Sequence, residues 1–448
     1  MARTLPPGPP LPATVQAGLF WLIPLRFMYG CHRRYGDRFT VRVPGFGTLV
    51  YLADRDDIRT VLRGDQAIFH AGEANFPLAE ILGSRSVLVA DEDRHQRSRA
   101  MLLPAFHGDS VRKQVAEMAE ITAADVAHWP VGEPFALLAR TQAITLEIIL
   151  RTVIGVHDEG RLGALREALP PMVEIGSPLE LLPPPRILRR VGMWRRRAQR
   201  QARAHALLLD EIARCRQDPD LPRRTDVLAM LVRTIDTIDT AEQPMSDREL
   251  VDQLVTLLLA GHETTAAALA WTFERLTRSP DLLDRTAQAA VSGDTAWLDA
   301  VCRESLRSRP VVFQIGRKLT EPFELAGYHL PAGTMVAPAI NLVHHHGRYY
   351  PEPEEFRPQR FVGTRPDTSV WLPFGGGVRR CLGATFAQVE MRTVIQEVLR
   401  RVELEPTTAP DEQVRVRHVT LVPRDGAVVH VRRHLAAAEP PAARVAAG

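Results

Sequence analysis

One stretch limits the possible folds more than any other. From Asp247 to Thr277, apolar residues recur at helical spacing through Leu254, Leu257, Leu258, Leu259, Leu269, Trp271, Phe273 and Leu276. Ser246-Asp-Arg-Glu249 stands at its start as a capping box, in which hydroxyl and carboxylate each satisfy an otherwise orphaned amide. A helix of that length runs about 45 Å. Being apolar on most sides, it belongs in the centre of a large domain, wrapped by other elements. His262 and Glu263 interrupt the run, which argues against a bilayer span.

The same interruption is the first chemical signal. In Ala260-Gly-His-Glu263-Thr264-Thr265, a carboxylate sits inside an apolar helix, where it costs free energy unless satisfied or used. Gly261 weakens the helix, and the Thr264 and Thr265 hydroxyls are able to bond back to carbonyls and bend it. A locally widened helix is expected, with room for a small ligand. One reading is a buried acid satisfied by its neighbours. The other is a proton relay. His262 reads as packed structure.

The second signal is Pro373-Phe-Gly-Gly-Gly-Val-Arg-Arg-Cys381-Leu-Gly-Ala384, followed by an amphipathic pattern through Phe386, Val389, Met391, Val394, Ile395, Val398 and Leu399. A thiolate near a helix start is favoured by the helix dipole and free amides. Glycines at 375, 376, 377 and 383 remove Cβ atoms, so a flat group is able to approach the backbone. Arg379 and Arg380 offer charge to an anion beside it. Alone, Cys381 reads as a buried structural cysteine. A soft thiolate, close backbone approach and cations for carboxylates together describe haem iron with an axial cysteine and propionates.

The spacing Phe374-Gly-x-Gly377-x-Arg379-x-Cys381-x-Gly383 resembles the haem-ligand loop of the haem-thiolate monooxygenases, the cytochromes P450, and its wording is similar to actinobacterial members. The stretch at 260–265 resembles the same family's Ala/Gly-Gly-x-Asp/Glu-Thr-Thr/Ser motif. The resemblance covers about residues 35 to 433. It implies a mainly α fold with a smaller β region, as one triangular haem domain holding haem b (iron protoporphyrin IX). Cys381 would be the axial ligand to the iron, with Phe374, Gly375, Gly383 and Ala260 beside the cofactor. The Thr264 hydroxyl would steady the iron-bound oxygen and Glu263 would help bring in the protons that split the O–O bond, which argues against the peroxide-using branch. His95 and Arg99, four apart on one helix face and followed by Pro104-Ala-Phe106, match the family's propionate-binding pair. Arg317 and Arg379 match its other propionate cations, and Val312 and Phe313 would face substrate. Glu304-Ser-Leu-Arg307 matches its buried Glu-x-x-Arg, joined by Arg360 from Phe356-Arg-Pro-Gln-Arg360; Gln359 replaces a usual Glu. These three are assigned to folding and pocket integrity.

The implied reaction inserts one oxygen atom from O2 into a lipophilic small molecule, by hydroxylation or epoxidation. No flavin or iron–sulfur module follows the haem loop, so electrons are expected from a separate ferredoxin or flavodoxin with its reductase, an acidic partner for Arg379 and Arg380. Two other classes are a haem-binding sensor or carrier, and a haem enzyme using peroxide or catalysing isomerisation.

Composition closes other routes. A net charge of only +3 gives no case for nucleic acid. Four scattered cysteines show no metal spacing and fit a reducing compartment. No signal-peptide layout begins the chain, and the run Ala17 to Leu25 is too short to span a bilayer. A cytoplasmic monomer without a transmembrane anchor is expected. His344-His345-His346 is rejected as a zinc site, because neighbouring side chains diverge.

The remaining pattern is an arm and first helix over 1–34, the haem domain over 35–435, and a disordered Ala/Pro-rich tail over 436–448. Helices are expected over 19–35, 55–62, from Asp91, over 111–128 and 140–155, and over 161–176 with a break at Pro170-Pro171. A hairpin joins 38–43 to 48–52, and 70–90 reads as a loop, either superficial or lining an apolar pocket. Loops are expected over 177–185, 217–225 and 236–246. The arginines at 186, 189, 190, 195, 196, 197, 200 and 203 read as a solvated helix face, with a membrane or lipid contact as the alternative.

Overall fold

The computed structural model describes residues 4–173, 192–237, 245–417 and 420–436. The expected loop at 177–185, Arg186, Arg189, Arg190, most of 236–246 and nearly all of the tail lie outside those residues.

The long helix is one unbroken element, Asp247–Thr277, and Ser246 and Glu249 form the full capping box. Every residue from Thr265 to Thr277 is buried. By length and composition this helix passes as a membrane span, but 78% of its most apolar window is buried inside the fold. Helix Leu137–Ile148 packs along it, as do Gly192–Gln217, Thr295–Ser308 and Ala384–Arg401. The expected widening at 260–265 is absent. The widened turn is at Ile149–Val153 instead, and Ile149 presses to within 3.0 Å of where a Cβ on Gly261 would sit.

The expected hairpin pairs Arg38–Val43 with Gly47–Leu52 in antiparallel register, Phe39 opposite Tyr51. The second strand then runs parallel to Met335–Pro338, which pairs antiparallel with Arg317–Leu319. This sheet, completed by Phe69–His70, fixes Arg317 on its buried side. Asp54 caps Arg55–Arg63 by accepting from the amides of Asp56 and Asp57.

Two expected boundaries change. The first helix is two, Ala13–Leu22 and Pro24–Tyr35. Pro24 excludes helical geometry at Ile23, whose φ is −139°. Conversely, Glu159–Val173 runs straight through Pro170 and Pro171. Both prolines lie in its last turns, and burial of Leu162, Leu165, Ala168, Leu169 and Met172 along one side outweighs the lost amide donors. The 70–90 segment is a chain of short helical turns rather than open loop. Gln253 of the long helix ties it down, accepting from Val87 N at 2.9 Å and donating to Arg85 O at 2.7 Å.

Candidate haem-binding site

The Cys381 loop is closed by its own backbone: Cys381 N donates to Phe374 O at 2.9 Å, and Gly375 N to Leu372 O at 2.9 Å. Gly375 and Gly377 both take φ +64°. The glycines do not all serve a flat ligand, as expected. A Cβ on Gly377 would stand 1.8 Å from Leu62 O, and one on Gly376 would be 2.8 Å from Leu62 Cδ1. These two let the loop dock on helix Arg55–Arg63. Only Gly375 and Gly383 leave room for a cofactor.

Cys31, Cys215 and Cys302 are buried, whereas Cys381 presents open surface. Burial nevertheless dominates its titration and pushes the thiol up. A side chain both uncovered and deep within protein lines an interior opening. The Gly383 amide, Arg380 and Arg99 act in the opposite sense, favouring a thiolate.

The long helix turns a matching stripe outward. Ala260 is exposed and Leu257, Gly261 and Thr264 are half-covered, within a helix buried before and after. Those positions share one face and mark an interior void. The Thr264 hydroxyl donates to Ala260 O at 2.5 Å. Glu263 is buried and points elsewhere: Gln142 Nε2 donates to its Oε1 at 3.0 Å, and Arg417 stands 3.6 Å away.

Four predicted cationic residues come together from three parts of the chain. His95 and Arg317 are buried, and Arg99 and Arg379 half-buried. Burial, then the charges of Arg379 and Arg99, push His95 down to about 4, so it is neutral at pH 7. Burial and Arg379 push Arg317 down to about 10. Repulsion among the three arginines, one of them buried and two half-buried, calls for an anion between them. His95 Nδ1 and Arg379 Nε are buried without a partner. One arm of Arg379 is held by Asp91 at 2.5 Å, and Asp91 also accepts from the amides of Gly72 and Glu73. Asp91 stands where a helix start is expected, but its side chain makes no cap hydrogen bond and serves this long-range role instead. Nothing local in sequence signals a contact 288 residues away. Of the arginine pair, only Arg380 faces outward.

The Glu304–Arg307 pair is fully buried. Arg307 donates to both Glu304 oxygens, at 2.7 and 2.8 Å, and to the carbonyls of His344, Pro353 and Glu355. Arg360 Nε lies 3.5 Å from Glu304, and its other arm bonds Glu352 O.

The three histidines diverge as expected. His344 Nε2 accepts from Leu372 N, His345 meets Asn341 O, and His346 meets Asp37. His32, Asp37 and His346 do cluster. However, His346 Nδ1 accepts from Arg348 N, leaving the proton on Nε2 toward Asp37, and the Arg348 guanidinium stands 3.8 Å from the same carboxylate. That is a hydrogen-bond network rather than a metal-ligand set.

A model of the cytochrome P450 family matches residues 6–429. The chain belongs to the cytochrome P450 family. A relative from Mycobacterium tuberculosis, "Putative cytochrome P450 135B1", is 51% identical over 436 residues, covering 96% of this chain and 91% of that one. Another from the same species, cytochrome P450 135A1, is 40% identical over 430 residues, covering 96% and 95%. A retinoic acid-bound cyanobacterial structure, CYP120A1, superposes with a TM-score of 0.81 at 24% identity over 97% of this chain and all of that one.

This P450 is thus an oxidoreductase of the monooxygenase class, with haem b as its cofactor, and requires O2, a substrate and an electron donor. Its residues fit that cofactor: an uncovered cysteine beside the Gly383 amide, Arg380 and Arg99, a cluster of arginines and a histidine with polar atoms lacking partners, and a void facing Ala260 and Thr264.

A buried acid that sequence reasoning missed lies between the two helices of the site. Glu390, on the helix after Cys381, is 1% exposed and within hydrogen-bonding range of Thr265. Burial raises its carboxyl well above the usual range, against the lowering effect of the Thr265 contact, so folding favours the neutral acid over the carboxylate. Unfolding releases that proton above the ordinary carboxylate pKa, so stability from the neutral acid is full at low pH and declines as pH rises. Glu390→Gln removes this linkage. Its thermal midpoint at pH 7 is expected to exceed the wild type's, with the difference shrinking toward pH 4. A difference independent of pH would show that folding does not raise the Glu390 carboxyl.

Proposed function

We propose that this P450 inserts one oxygen atom from O2 into a lipophilic small molecule, by hydroxylation or epoxidation, in the cytoplasm. Electrons come from a separate ferredoxin or flavodoxin with its reductase. The second oxygen atom leaves as water, taking two protons and two electrons. When bound, the haem supplies the redox chemistry of oxygen activation.

The protein's part is positional. Cys381 Sγ would hold the haem iron, with Phe374, Gly375 and Gly383 along the loop and Ala260 on the long helix lining the cofactor. Arg99, Arg317, Arg379 and the neutral His95 would hold the propionates through charge and hydrogen bonds. Thr264 and Glu263 would manage protons: Glu263 draws on the buried network through Gln142 and Arg417, and Thr264 faces the void. Val312 and Phe313, both partly buried against the core, would help exclude water on the substrate side. Arg380 would meet an acidic redox protein at the surface. The observation that carries this reading is an uncovered cysteine within the field of a cation cluster whose donors are unmet.

Thr264→Ala tests it, using a compound that shifts the ferric spectrum. Reductant consumption is expected to continue while product per reductant falls about tenfold or more. Unchanged coupling would favour peroxide or isomerase chemistry, and a wild type that forms no oxygen-dependent product would favour a sensor or carrier.

A further inference from the structure

We propose that the outer edge of helix Ala13–Leu22 docks this enzyme onto an anionic lipid surface. The run Ala17 to Leu25 is too short to cross a bilayer, and only Ala17, Phe20 and Leu25 of it pack partly against the core. Leu22 is 82% exposed, Trp21 and Val15 46%, and Leu11 and Ile23 41%. Five large apolar side chains thus face outward within 13 residues, and the helix buries only Gln16.

This edge is held rigidly. Gln16 donates to Pro9 O and Leu11 O and accepts from Arg42 N at 2.9 Å, fastening the helix to the sheet. Trp21 packs edge-on against Phe20 at 5.2 Å and against Phe46 at 5.8 Å. A fixed aromatic platform with protruding leucine and isoleucine suits the boundary between headgroups and acyl chains.

Charge selects the occupant. The first 53 residues hold six arginines and a single acid, Asp37, whereas the whole chain carries only +3. Asp37 is spent inward on His32 and His346. Arg26 and Arg42 flank the apolar edge and are exposed, as are Arg33 and Arg34 on the next helix. A second copy meeting this face symmetrically would set arginine against arginine. An anionic lipid surface takes apolar and basic groups together.

None of the residues of this surface is assigned to the haem site, so its test is independent of the catalytic reading. The holoenzyme is sedimented with vesicles of phosphatidylcholine alone, or of equal parts phosphatidylcholine and phosphatidylglycerol, at low and high salt. Binding is expected to the mixed vesicles, to weaken with salt and to be slight on the neutral ones. The double variant Trp21→Ser/Leu22→Asp is expected to bind at least about tenfold more weakly. Its haem spectrum should remain unchanged and its thermal midpoint should fall only slightly, since Leu22 is 82% exposed and Trp21 loses only its contacts with Phe20 and Phe46. The proposal is overturned if wild type and variant sediment alike, or if the mixed vesicles recover no protein. It is also overturned if the variant instead abolishes a concentration-dependent dimer.

Discussion

Arg307→Ala is expected to yield little folded, haem-loaded protein. Arg307 is a fully buried cation that donates to both oxygens of a fully buried carboxylate and to three carbonyls of the 344–355 segment. Its guanidinium also lies over the Tyr350 ring at 5.1 Å. Among the described residues, removing it leaves Glu304 with the Arg357 amide at 2.8 Å and Arg360 at 3.5 Å. Breaking one side of such a pair costs about 3–5 kcal/mol. That is a large part of the roughly 5–15 kcal/mol that separates folded from unfolded protein. Arg307→Lys restores charge but not the five-donor fork, so it should recover only part of the loss. Thermal denaturation with haem content measures both. A midpoint unchanged in Arg307→Ala would remove the network from the account of folding.

The second large effect is at the loop. Cys381→Ser is expected to abolish oxygen-dependent product formation. Serine preserves the shape of the side chain and the Cys381 N to Phe374 O closure, so the loop itself should stand. What is lost is the soft, anionic sulfur favoured by the Gly383 amide and by Arg99 and Arg380. Product formation at the wild-type rate would mean that the residue is not the ligand. Loss of haem altogether would still locate the binding site there.

The parts legible in the sequence were those written by local rules. The capping box at Ser246, the hairpin at 38–52 and the helix after Cys381 rest on neighbours within a few residues, and each stands as expected. The convergence of His95, Arg99, Arg317 and Arg379 came from family resemblance; alone, His95 and Arg99 read as a solvated charged face and Arg317 as a strand-edge charge. What was not legible depends on distant partners. Gly376 and Gly377 answer to Leu62, Asp91 to Arg379, and Glu390 to Thr265, none of them within reach of a periodicity argument. The Pro170-Pro171 break failed for a related reason: burial of one face outweighed a local signal that would stop an isolated helix.

The central claim is a sulfur–iron bond at position 381, and the spectrum of the reduced protein under carbon monoxide tests it most directly. The account predicts the long-wavelength Soret band peculiar to thiolate ligation in the wild type, and its disappearance in Cys381→Ser. A wild-type band at the shorter wavelength of nitrogen-ligated haem, or a long-wavelength band that survives the substitution, would contradict it.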